Sequence, residues 1–442
     1  MCTVCAQLIG KSGPSTTGKM ILFSLLLQLF LLLPVFQASS VTHLETKQGR
    51  VKGRIYSASK QSFTNLPYAV PPVGDLRFQP SLPAPPHPNV THDATLPTIM
   101  CPQLDGEGTK GVEDCLVLHV HTPGSSLDHE PLPVMVFVHG GSFTSGSGEG
   151  NGPWLLVERN VIVVLINYRL GVLGGLTTGT DEAPGNLGIR DIILALNWVR
   201  DNIKDYGGNP ERITLFGESA GSMAISAVLA SPALEEALLA GAILQSGTMV
   251  RAMEIAGERD SYPEYASKVG EGLGCNPDSL LECLKAASVE DLVQWTNTFK
   301  PARAWEPWVD VSLGSNSVLP LSTLEAFRAG RNRKMDLIMG SNSGDGWLYA
   351  NSLFTDPANW EDWAENWHER ITTTMVGRAE PRLQVGLNDT VAYISRIGHS
   401  PGRSSPLHLP RRRSSWSSAG RADDADGQRH NVPGTSVQVL VH

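Results

Sequence analysis

The 442 residues are 41% hydrophobic and 18% charged, which provides enough apolar material for a large buried core and excludes a disordered chain. A formal net charge of −9 and the lack of a basic stripe with interleaved aromatics argue against a polyanion-binding surface, so nucleic acid is not an expected partner. Length alone suggests about two or three domains, although large α/β folds often run as one.

In chain order, the first feature is the apolar run from Ile21 to Phe36, with Lys19 before it and Ala38, Ser39 and Ser40 after it. The run is shorter than the ~20 residues a spanning helix needs. With those flanks it reads as a signal peptide cut near Ser40. Met20 then serves as a working start, residues 1–40 form the leader, and Cys2 and Cys5 are not a redox site. No later apolar stretch is long enough to span a bilayer, so the expected product is secreted or luminal, with no membrane span after signal removal. Four cysteines remain after the leader, Cys101, Cys115, Cys275 and Cys283. An even count in an exported chain fits two disulfides, and three connectivities are open on this ground alone. Asn89 (NVT) and Asn388 (NDT) match the N-glycosylation acceptor pattern.

Val134 to His139 (VMVFVH) and Val161 to Asn167 (VIVVLIN) are short β-branched runs that read as buried strands of a largely parallel sheet. Ile189, Ile192, Ile193, Leu196, Val199 and Ile203 recur at helical spacing, and Gly207 and Gly208 are expected to stop that helix. Ile213 to Phe216 (ITLF) is another strand, followed by helix formers from Ala220 to Leu229. Further strands are expected at Ala242 to Leu244 and Asp336 to Met339, with a helical, acidic region between them. Strand and helix alternating in this way predict an α/β domain. Beyond about Ser400 the composition turns to Ser, Arg, Gly, Pro and Asp, with Arg411, Arg412 and Arg413 in a run and Trp416 the sole aromatic. Residues 400–442 are therefore expected to be a solvated tail behind a domain spanning 41–399.

Gly217-Glu218-Ser219-Ala220-Gly221 follows the ITLF strand and opens a helix. This is the context of a nucleophile elbow, in which glycines permit a turn sharp enough to lift a serine hydroxyl above the sheet. His139-Gly140-Gly141 ends the VMVFVH strand, where preorganised backbone N–H groups could meet the negative charge of an acyl-transfer intermediate. His139 precedes the serine, whereas triads on such folds run serine, acid, histidine, so it reads as a loop-shaping residue. No metal or cofactor is expected.

From about Leu44 to Trp347 the chain resembles the type-B carboxylesterase and cholinesterase family. The resemblance rests on Leu66 to Phe78 (LPYAVPPVGDLRF), Glu113 to Leu116 (EDCL), Asn167 to Gly171 (NYRLG), Gly185 to Ile203 and Phe216 to Gly221 (FGESAG). It implies an α/β-hydrolase fold with a central, mostly parallel sheet flanked by helices, and serine-dependent hydrolysis of small carboxylic esters. It makes Ser219 the nucleophile, with Glu218 beside it, and Gly140, Gly141 and Ala220 the oxyanion hole. It pairs Cys101 with Cys115 and Cys275 with Cys283. In Gly340-Ser341-Asn342-Ser343-Gly344-Asp345-Gly346 it makes Asp345 the triad acid, and it makes Ser246 a hydrogen-bond partner of that acid.

Two departures shape the expectation. The loop between Cys101 and Cys115 has no tryptophan, whereas cholinesterases hold a choline cation there by cation–π contact, so a general esterase is expected. The family's histidine lies in a Gly- and Glu-rich segment that, counted from Asp345, falls beyond His442. His399, His408, His430 and His442 lack those surroundings, His399 being the nearest to a candidate. The chain as written is thus expected to be C-terminally incomplete as a hydrolase and a weak esterase. The competing expectation is a non-catalytic binding protein of the neuroligin kind on the same fold.

Overall fold

A computed structural model of the protein describes residues 40–106, 108–124, 130–249, 262–295, 298, 305–331, 335–342, 345 and 435–440. Its strands are β1 (Ser40–Thr46), β2 (Gly49–Ser57), β3 (Lys60–Pro67), β4 (Thr91–Asp93), β5 (Gln103–Asp105), β6 (Gly108–Lys110), β7 (Val117–Thr122), β8 (Leu132–Val138), β9 (Ile162–Ile166), β10 (Gly208–Glu218), β11 (Gly241–Gln245), β12 (Asp336–Asn342) and β13 (Thr435–Leu440). One sheet runs in the order β1-β2-β3-β7-β9-β8-β10-β11-β12-β13, with β4 paired to β2, while β5 and β6 form a separate hairpin. The centre, from β9 through β8, β10 and β11 to β12, is parallel. The strands on either side pair antiparallel, except for β4, which pairs parallel with β2.

Within this parallel centre β9 is buried on both faces, as a parallel strand covered by helices must be. All five residues of β9 are buried. Ile162, Val164 and Ile166 enter the large core, while Val163 and Leu165 enter a smaller one with Phe137 and Val157. That alternation is the period-2 geometry of a strand. On the large-core side packs α1 (Leu187–Asn202), which buries Ile189, Ile192, Ile193, Leu196 and Val199 on one face. Burying each such side chain is worth roughly 1.5–3 kcal/mol. The α-helix ends one residue earlier than its periodicity suggests. A tighter helical turn covers Ile203–Tyr206, Gly207 closes it at φ 86°, and Gly208 already opens β10.

The next helix, α2 (Ala220–Ala230), follows β10 directly and is buried except at Met223. Between β11 and β12 lie α3 (Tyr262–Gly272), α4 (Leu280–Ala286), α5 (Val289–Gln294) and α6 (Thr323–Arg328). A capping box formed by Ser322 and Glu325 starts the last of these. The first three contribute Ala266, Val269, Leu284 and Leu292 to a second core around Leu173 and Trp305. Cys101 is bonded to Cys115 and Cys275 to Cys283.

Thr435–Leu440 lies in the stretch read as a solvated tail, yet it pairs antiparallel with β12. Its TSVQVL sequence alternates β-branched and other residues, a strand pattern that the basic, Ser-rich segment before it obscures. Residues 1–39, Asn388, Arg411–Arg413 and Trp416 lie outside the described residues.

Candidate active site

β10 ends at Glu218 and α2 begins at Ala220, so one residue makes the turn. That residue, Ser219, sits at φ 55°, ψ −124°. Such backbone strain costs on the order of 1–3 kcal/mol in a non-glycine residue and persists only where the surroundings over-determine it. Here they do. A Cβ on Gly221 would lie 2.1 Å from the Val138 carbonyl oxygen, and one on Gly217 would lie 2.6 Å from the same oxygen. The Ser219 N–H donates to the Gln245 carbonyl at 2.9 Å, and the Ser219 carbonyl accepts from the Met223 N–H at 2.9 Å. The first N–H groups of a helix have no partner inside it, and Ala220 opens α2.

The loop after β8 is pressed against this elbow. A Cβ on Gly140 would stand 2.7 Å from the Glu218 carbonyl oxygen and 3.1 Å from the Ser219 Cβ. Gly141 has φ 112°, and Ser142 and Phe143 also take positive φ values. The Gly141 carbonyl accepts from the Thr144 and Ser145 N–H groups at 3.0 Å each, and the Phe143 carbonyl accepts from the Gly171 N–H at 2.7 Å. His139 stacks on Tyr168 with ring centroids 4.4 Å apart. Its Nδ1 lies 2.8 Å from the Gly140 carbonyl oxygen, a pairing that puts the proton on Nδ1. Burial pushes this imidazole down to about 4. It is therefore neutral near pH 7 and occupied with its own loop. The Tyr168 hydroxyl donates to the His139 carbonyl at 2.8 Å.

On the other side of the elbow, Asp345 stands in a turn after β12. Its N–H donates to the Asn342 carbonyl at 3.2 Å, and its Oδ2 accepts from the Asn342 N–H at 3.4 Å. The Glu218 carboxyl is raised above its ordinary range first by burial and then by the negative charge of Asp345. The negative charge of Asp345 is thus felt at Glu218, the residue before Ser219. Ser246, at φ 55°, links to the acid's strand through its backbone, donating its N–H to the Gly340 carbonyl at 2.7 Å. Among the described residues no hydrogen bond joins its hydroxyl to Asp345, which differs from the expected pairing.

A cleft of about 350 Å³ opens beside the elbow, lined by Gly140 and Glu218, by Met100, and by Gln103 and Lys110 of the disulfide loop. Among the described residues, His139 is the one histidine that lines it. His399, His408, His430 and His442 lie outside the described residues.

Several residues of the matching stretches brace the loops around the elbow, a role that their sequence pattern does not signal. The Asn167 side chain donates to the Ile99 and Cys115 carbonyls and accepts from the Gly148 N–H. Arg169 grips Asp191 through two side-chain bonds of 2.8 and 2.6 Å, both residues buried. Arg77 grips Glu113 in the same bidentate manner. It also donates to the Lys285 and Ala287 carbonyls, which ties the disulfide loop to α4.

A model of the carboxylesterase family matches residues 40–394. The chain belongs to that family. It is 35% identical over 356 residues to juvenile hormone esterase of Tribolium castaneum, covering 74% of this chain and 59% of the relative. To cocaine esterase of Homo sapiens it is 35% identical over 274 residues, covering 58% and 49% of the two. The chain thus spans between about half and three-fifths of the length of these relatives. Among solved structures, it resembles juvenile hormone esterase from Manduca sexta with OTFP covalently attached, at a TM-score of 0.63 and 28% identity, over 81% of this chain and 69% of that one. A PNB esterase gives a TM-score of 0.62 at 29% identity, over 81% and 75%. The shared architecture is the α/β-hydrolase fold, and the family match extends past Trp347, where the motif resemblance stops.

Proposed function

We propose that this carboxylesterase-family chain cleaves uncharged carboxylic esters through an acyl-enzyme on Ser219. The observation that carries the reading is the strained elbow, with Ser219 held at φ 55° against the glycine loop of Gly140 and Gly141. In the reaction, Ser219 Oγ forms a bond to the ester carbonyl carbon while its proton passes to a base. The N–H groups of Gly140, Gly141 and Ala220 meet the resulting oxyanion. The alcohol leaves with that proton, and water then cleaves the acyl–serine bond to release the acid and restore the hydroxyl. Asp345 would orient and stabilise a protonated imidazole. The described residues supply no such imidazole, so the base is sought among the histidines downstream of Asp345.

Two features support the substrate class. The names of the relatives, juvenile hormone esterase and cocaine esterase, denote ester cleavage. Lys110 lines the cleft and opposes a cationic alcohol, and no tryptophan stands between Cys101 and Cys115 to attract one. Export fits the same reading. Both disulfides form, Asn89 stands exposed in a turn, and no helix among the described residues is long and apolar enough to cross a membrane.

The test is expression from Met20 in a secretory host, with hydrolysis of p-nitrophenyl acetate followed beside that of the S219A variant. Slow release of nitrophenol that disappears in S219A is expected. A rate identical in the two proteins would overturn the reading and favour a binding role for the fold.

A further inference from the structure

Gln103 lies on β5, two residues after the disulfide-bonded Cys101, and is buried although its side chain is an amide. A buried carboxamide must spend both its donor and its acceptor capacity or pay for their desolvation. Gln103 spends both on one residue. Its Nε2 donates to the Gly146 carbonyl at 2.8 Å, and its Oε1 accepts from the Gly146 N–H at 2.9 Å. The second hydrogen on Nε2 goes to the Cys101 carbonyl at 3.0 Å, so the amide is anchored in the loop that the disulfide closes.

Gly146 is the far end of the loop that begins at Gly140. It takes φ 114°, and a Cβ there would lie 2.4 Å from His139 Nδ1 and 2.5 Å from the Gly140 carbonyl oxygen. Gly146 is therefore in contact with the two groups whose hydrogen bond sets the Gly140 peptide. The Gly140 peptide in turn sits against Ser219.

We propose that Gln103 is a positioning residue for the oxyanion loop, clamping Gly146 so that His139 and Gly140 are held where an ester carbonyl oxygen is met. The claim rests on the ester-cleavage reading only for its catalytic consequence. The clamp itself is a statement about the loop. Shape alone would tolerate an apolar residue of similar length at this position. The two-pronged match to the N–H and C=O of one residue gives the amide a purpose that packing does not.

The experiment compares the full chain with Q103M, which keeps the length of the side chain and removes both hydrogen-bonding groups. Q103N, which withdraws the amide by one methylene, is a second variant if Q103M is not secreted. Amide hydrogen exchange is read for peptides covering 139–148 and, as a control, 187–202. Exchange is expected to rise in the first and stay unchanged in the second. Equal exchange in 139–148 overturns the proposal, and so does an equal rise in both peptides, which would mean general loosening. Phosphonylation of Ser219 by a fluorophosphonate is the second readout. It should slow on the order of ten-fold, less than the 10²–10³ that follows outright loss of an oxyanion donor. An unchanged rate in a protein whose parent is labelled overturns the proposal. A parent that is not labelled at Ser219 overturns the ester-cleavage reading instead, while the exchange measurement still decides the clamp.

Discussion

The nucleophile side and the acid side of the site are built differently. Ser219 follows β10, whose Ile213, Leu215 and Gly217 are buried, and the Val138 carbonyl oxygen lies so close that a Cβ on Gly221 or Gly217 would meet it at 2.1 or 2.6 Å. β12, which leads to the turn of Asp345, the proposed acid, is exposed at Asp336, Ile338 and Gly340–Asn342, and within it Leu337 and Met339 pack against the large core. Among the described residues, Asp345 makes two hydrogen bonds, of 3.2 and 3.4 Å, to Asn342. The contrast teaches that the loop proposed as the oxyanion hole is set by close backbone packing, whereas the strand leading to the proposed acid is set mainly by its edge pairing and two packed side chains.

The widest gap between the two sides is expected from glycine substitution. G221A would drive a methyl group into the Val138 carbonyl oxygen. Overpacking against backbone costs ~1–3 kcal/mol or more, so a urea melt should show loss at the top of that range or failure to fold. G340A, on β12, meets nothing within 4 Å and should change stability by no more than about 0.5 kcal/mol. Similar losses in both variants would break the comparison. Next in size, L196A removes a fully buried side chain of α1 and should cost roughly 2–5 kcal/mol. I338A, 40% exposed on β12, should be within ~0.5 kcal/mol of the parent.

Acid sensitivity should originate on the nucleophile side as well. Burial pushes His119 and His139 down to about 4, and burial together with His119 pushes His121 down to about 3. The unfolded chain binds these protons near pH 6.5 and the folded chain refuses them. Their contribution is present above pH 6.5 and is lost as pH falls from there towards about 4 and then 3. Stability in urea measured at pH 7 and at pH 5 should therefore fall. In H121F, whose ring carries no proton, the fall should be smaller. An equal fall in H121F would locate the acid sensitivity elsewhere. The smallest effect is expected at the acid. D345N removes the second cause of the raised Glu218 pKa and leaves the first, burial. A carboxyl titration by NMR should show Glu218 moving down but staying above its ordinary value, and no movement would separate the two groups.

Most of the parallel centre of the sheet was legible because VMVFVH, VIVVLIN and ITLF are apolar runs between breakers, and the elbow was legible because GESAG follows such a run. The antiparallel flank was not. In β2, only Val51 and Gly53 are buried, so no apolar run marks it. β7 is buried at all six positions, but two of them are histidines, which read as polar until burial shows them to be neutral. Gln103 carries no local signal at all, since its partner Gly146 is 43 residues away in sequence. Asp345 was reached by resemblance, because one aspartate in a Gly- and Ser-rich turn has no pattern of its own.

The central claim is that the packed elbow makes Ser219 a nucleophile. Incubating the secreted chain with a fluorophosphonate probe and mapping the adduct by peptide mass spectrometry tests it most directly. The account predicts a single adduct on Ser219, absent in S219A and present in D345N. An adduct elsewhere, or equal labelling of the parent and S219A, would contradict it.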